Sequence, residues 1–72
     1  MVRMYSYLIE EFNGINNKVV QSGYSLGIKE LRKHARENGF KIHFCRNACV
    51  GRTKAAYMGM NGNRTFMAIS FN

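Results

Sequence analysis

Apolar and polar positions along the chain mark two hairpins with a helical segment between them. The runs "YSYLIEEF" (5–12) and "INNKVV" (15–20) are separated by Asn13-Gly14. Asn-Gly between apolar runs is the strongest short hairpin signal, because both central residues of a type I′ turn need positive φ. A two-residue loop here predicts Phe12 opposite Ile15, Leu8 opposite Val19 and Tyr7 opposite Val20. Asn61-Gly62 repeats the device between "KAAYMGM" (54–60) and "NRTFMAISF" (63–71). That register sets Tyr57 opposite Phe66 and Met58 opposite Thr65. Gly59, inside the first of these strands, signals a bulge or a close backbone approach.

Between the hairpins lies "SLGIKELRKHARENG". Ile28, Leu31 and Ala35 recur at helical spacing and form one narrow apolar face. Ser25 is the candidate N-cap, with the helix beginning at Gly27 or Ile28, and Asn38-Gly39 is the stop. "FKIHF" (40–44) then alternates strictly: Phe40, Ile42 and Phe44 point one way, Lys41 and His43 the other. The order is strand, strand, helix, strand, strand, strand. The expected fold is α+β: one domain over residues 1–72, an antiparallel sheet of about five strands with one helix packed on one face.

Seventy-two residues, 46% of them hydrophobic, are enough for one small core and too apolar for a disordered tail. Such a core supplies a net stability of only about 3–5 kcal/mol, which leaves room for a supplement: a disulfide, a metal or a second copy of the chain. The nine aromatics are mostly in predicted strands, and alternation sends some to each sheet face. One helix covers one face only. The rest are left to stack bases or, by preference, to form a dimer interface or a protein-docking patch. The five methionines suit an adaptable contact surface.

Net charge is +7, and its distribution is uneven. Residues 1–28 sum to zero, while residues 29–72 carry nine cations against Glu30 and Glu37. A basic half on a neutral scaffold is an electrostatic footprint for a polyanion. Lys29, Arg32, Lys33 and Arg36 sit at i, i+3, i+4 and i+7, which places them in one stripe about a quarter turn from the apolar face. Glu30 and Glu37 lie on the opposite flank, so charges are sorted by side instead of alternating for i,i+4 pairing. No apolar run approaches the ~18 residues of a membrane span, and no secretion signal follows Met1; the expected location is cytoplasmic.

"FCRNACVGRTK" (44–54) brings two cysteines, three cations, a glycine and a threonine together. Cys45-x3-Cys49 is a spacing seen at some zinc sites, with His43 and His34 as conceivable further ligands. Structural zinc usually takes a second short-spaced ligand pair, which this chain lacks. The cysteines read better as small buried hydrophobes. Arg46, Arg52, Thr53 and Lys54 around Gly51 are the better candidates for chemistry, as a basic loop whose amides and side chains grip a phosphate. It lacks the spacing of a nucleotide-hydrolysing phosphate loop. Glu10 and Glu11 are adjacent, so a strand points them to opposite faces and they cannot act on one substrate. No catalytic residue, metal or cofactor is assigned, and the chain is not expected to be an enzyme.

"LGIKELRKHARENGFKI" resembles the first helix of SAP and Rho-N-type nucleic-acid modules. Those modules continue into a second helix, whereas an alternating stretch follows here. In brevity and lack of a catalytic set the chain also looks like small accessory proteins of bacteriophages. The leading expectation is a non-enzymatic module that binds DNA or RNA through Lys29, Arg32, Lys33 and Arg36, with Arg46, Arg52, Thr53, Lys54 and Arg64 adding contacts. The alternative is a phage-type accessory or inhibitor protein. It would bind an acidic host protein or a small phosphorylated nucleotide signal, as a homo-oligomer.

Overall fold

The computed structural model describes residues 2–72. Strands β1 (Met4–Phe12) and β2 (Asn17–Leu26) precede helix α1 (Gly27–Glu37), and β3 (His43–Phe44), β4 (Ala55–Asn61) and β5 (Arg64–Ser70) follow it. The five strands form one antiparallel sheet in the order β2-β1-β5-β4-β3. The helix lies over β1 and β2 on one side. This is the expected α+β fold.

Both hairpin registers differ from the sequence expectation, for the same reason: a polar side chain claims the turn. Asn13 is not a central turn residue. Its Oδ1 accepts from the amides of Ile15 and Asn16, and its own amide donates to Asn16 O, which closes a four-residue loop. Phe12 therefore faces Asn17, and a bulge beside Ile9/Glu10 moves Leu8 opposite Ser22 and Tyr7 opposite Gly23. Val19 and Val20, expected as partners of Leu8 and Tyr7, are exposed near the hairpin tip. In the second hairpin the central residues are Gly62 and Asn63, with Asn61 facing Arg64. Gly62 has φ 63° and, among the described residues, none other than glycine has positive φ, which fits a type II′ turn and not type I′. The two-residue slip puts Tyr57 opposite Ala68 and Met58 opposite Met67. Asn63 is held by β1: its Nδ2 donates to Phe12 O, and its carbonyl accepts from the Phe12 amide.

Ser25 does not cap the helix. It is the penultimate residue of β2, its hydroxyl 2.6 Å from Nδ1 of His34, and Leu26 stands at the N-cap. Glu30 Oε1 accepts from the Leu26 amide instead. The expected stop is present. Gly39 (φ 84°) donates to Arg36 O and Phe40 to Ala35 O, the paired bonds of a Schellman motif, which needs a left-handed residue at this point.

"FKIHF" forms a much shorter strand than its alternation implies. Only His43 and Phe44 pair with β4. Phe40 and Ile42 are buried in the core, and the Lys41 carbonyl passes so close to Gly59 that a Cβ there would sit 2.5 Å from it. The segment crosses over β4 at the glycine before joining the sheet edge. The close approach flagged at Gly59 is the reason this crossing is possible.

The core lies between helix and sheet. Leu31 and Ala35 pack on Tyr5, Tyr7, Ile9, Phe66 and Ala68, closed at one end by Phe40 and Ile42. Phe66, fully buried on the central strand, stacks on Tyr7 with ring centres 5.2 Å apart. Burying side chains of this size contributes about 1.5–3 kcal/mol each before conformational entropy is counted.

Candidate binding site

Because α1 sits over β1 and β2, the helix side of β4 and β3 is left as a shelf beside it. The helix period decides which side chains overlook the shelf. Leu31 and Ala35 point into the core, His34 turns toward β2 to meet Ser25 and Tyr7, and Arg32 and Arg36 turn toward β4. Arg32 and Arg36 line a cleft of about 340 Å³ with Phe40, Lys41 and Ile42. Arg32 reaches to 3.5 Å from the Ile42 carbonyl, and its guanidinium carbon lies 5.8 Å from the Tyr57 ring centre, within cation–π range. Tyr57 meets Phe44 edge to face at 5.6 Å, and Phe44 is 54% exposed. Cleft and aromatic pair form one continuous surface joined by Arg32.

The electrostatics of the shelf are one-sided. Burial, and next Tyr5, raise the Tyr57 hydroxyl above its ordinary pKa, while Arg32 and Arg3 pull it back. Arg3 is thus a further cation near this ring. Among the described residues the ion pair is Arg64–Glu11, at 2.9 Å. Lys29, Arg32, Lys33 and Arg36 are all exposed, and no carboxylate lies within ion-pair distance of them among the described residues. Their charge is available to an external anion.

The structure brings together two of the nine sequence-derived candidates, Arg32 and Arg36, on this cleft. Lys29 lies in the first turn of the same helix, and Lys33, by helical period, on its outermost line. Arg46, Arg52, Thr53 and Lys54 do not line the cleft. Their loop leaves the sheet where Cys45 donates to Ala56 O and returns where Lys54 donates to Ser70 O. That is the end of the sheet where β2 passes into the helix, away from Arg36. The amides of Ala48, Cys49, Thr53 and Lys54 are bonded within the protein, and the side chains of Arg46, Arg52 and Lys54 are exposed. Arg64 stands at the opposite end and is neutralised by Glu11.

Cys45 and Cys49 are unbridged and half-buried, with Cys49 Sγ 3.5 Å from the Cys45 carbonyl. Among the described residues no three His, Cys, Asp or Glu side chains gather as a metal site would require. No helix among them is long and apolar enough to cross a membrane.

Sequence reasoning missed Lys41 and the Phe44–Tyr57 pair. Alternation assigned Lys41 to the face away from Phe40 and Ile42, as in a sheet strand. Gly59 was the available signal, since a backbone crossing there lifts residues 40–42 toward the helix flank.

The chain matches no protein-family model, no curated protein and no solved structure.

Proposed function

We propose that this protein is a non-enzymatic module that binds single-stranded nucleic acid along the helix flank. The convergence of Arg32, Arg36 and Lys41 on one cleft, beside the exposed Phe44 ring and the half-buried Tyr57 ring, carries this reading. Phosphates need unpaired cations, and unstacked bases need flat aromatic faces; single-strand binders combine the two. A duplex hides its base faces and would use the cations alone. Lys29 and Lys33 extend the basic track along the helix, and Arg46, Arg52 and Lys54 offer contacts beyond its first turn.

Fluorescence anisotropy of labelled single-stranded RNA and DNA, titrated at several salt concentrations, tests the reading. Binding should weaken linearly in log–log form as salt rises, because the entropy gained by releasing counterions falls, and duplex competitor should displace the strand poorly. Absence of binding at low salt sinks the proposal. The cleft volume of about 340 Å³ also suits one small phosphorylated ligand. Efficient displacement of the strand by a free mononucleotide would move the assignment to that ligand class.

A further inference from the structure

The sheet side opposite the helix is partly open: Ala56, on this side of β4, is buried outside the helix-side core, while β1, β2 and β5 leave apolar side chains exposed. Strand pairing sets Leu8 opposite Met67 and Met67 opposite Met58 across its middle. Tyr24, Met60 and Phe71 stand around them at 71%, 74% and 60% exposure. Ser6 lies in a hollow of about 420 Å³ between Met4, Tyr24, Ile69 and Phe71.

This side carries almost no charge. Of the eleven lysines and arginines, two lie in strands, Lys18 and Arg64, and both pair with Glu11 across the ladder, on the helix side. Glu10 is the one strand carboxylate on the open side, and Lys54, just before β4, stands at its rim. With no strand lysine or arginine on this side, Lys54 at its rim and His43 at the β3 edge are all it offers to phosphates or an acidic protein, so a polyanion fits it poorly.

A second copy of the chain fits, and charge says in which orientation. Two molecules of net charge +7 repel wherever their basic surfaces meet. Packed open side to open side, they separate those surfaces by three layer spacings of about 10 Å, or roughly 30 Å. That is about three Debye lengths at 0.1 M salt, so the repulsion is screened. The area is also adequate. Four strands of seven to ten residues, about 4.8 Å apart, with the two-residue β3 at one edge, span roughly 20 by 23–33 Å, and standing side chains bring this flat area toward the ~800 Å² per partner of a stable interface.

We infer that two copies pack through these faces into a homodimer with the helices outermost. The dimer roughly doubles the apolar layer that so short a chain can build. It does not rest on the nucleic-acid reading, although it would turn the two basic flanks to opposite sides of one particle.

Light scattering on size-exclusion eluate of the full chain is the test. The expected mass is twice 8.3 kDa. Ser6→Arg should return it to the single-chain mass with an unchanged far-UV spectrum, because Ser6 is exposed in the single chain and its replacement disturbs only a facing copy. Met60→Glu, at another exposed position on the same side, should do the same, which guards against a folding defect in either variant. Phe44→Ser, on the helix side, should leave the dimer mass intact. A single-chain mass at every concentration up to roughly 1 mM overturns the inference. So does a dimer that survives both Ser6→Arg and Met60→Glu, which would place the contact elsewhere, such as the outer edge of β2.

Discussion

Arg32 holds its guanidinium carbon 5.8 Å from the ring centre of Tyr57, joining the cationic helix flank to the aromatic surface of the sheet. The pairing has a titration consequence. Burial first, then Tyr5, raise the Tyr57 hydroxyl above 10.0, against the pull of Arg32 and Arg3. Removing Arg32 in Arg32→Met should raise it further, as read from ring NMR shifts through alkaline pH. Because the folded-state value lies above the unfolded one, the stability tied to the neutral phenol is complete below pH 10.0 and is lost as pH rises through the folded value. Thermal midpoints measured across that window should fall with rising pH, and less steeply in Tyr57→Phe.

The helix cations and Arg64 should separate in salt dependence. Every phosphate that a variant no longer neutralises in a single-strand complex reduces the log–log salt slope by about 0.7. Arg36→Gln and Lys41→Gln should each flatten the slope by about that amount. Arg64→Gln should leave it in place, since Glu11 already neutralises that charge. Equal flattening by all three would move the interface off the cleft.

Gly59→Ala should be strongly destabilising. Its Cβ would lie 2.5 Å from the Lys41 carbonyl, a backbone atom that cannot rotate away. Overpacking of this kind costs about 1–3 kcal/mol, and each kcal/mol lowers the midpoint of a domain this size by about 4–8 °C. Relaxation of residues 40–42 away from β4 would also widen the cleft, so the variant should bind strands more weakly even where it remains folded.

Ser25→Ala distinguishes a helix cap from a side-chain tie. The hydroxyl sits 2.6 Å from Nδ1 of half-buried His34, and no helix amide depends on it. A loss of about 1 kcal/mol in denaturant unfolding is expected, with amide exchange in the first helical turn unchanged. A double-mutant cycle with His34→Ala should show coupling, because the two residues share the bond being removed.

What was legible in the chain follows from short-range rules. Helical spacing of Ile28, Leu31 and Ala35 specifies the buried face, and with it the position of Arg32 and Arg36 a quarter turn away. Asn38-Gly39 marks the helix end because a left-handed residue is needed to close the Schellman bonds. Registers were less legible. An Asn-Gly pair announces a turn, but which two residues become central depended on partners remote in sequence, as with Asn63 bonded to Phe12.

By itself, then, the sequence determined element order, the apolar stripe of the helix and the sorting of its charges, since each rests on spacing within a few residues. Only the tertiary structure decided that Lys41 joins Arg32 and Arg36, that the 46–54 loop lies apart from their cleft, and that the open sheet side carries almost no charge. Those outcomes depend on which strands become neighbours. β1 pairs with β5 as well as with β2, which puts β4 and β3 beyond the helix and leaves the shelf open. That pairing is settled by burial of Phe66 against Tyr7 and Phe40, packing across most of the chain that no local pattern encodes.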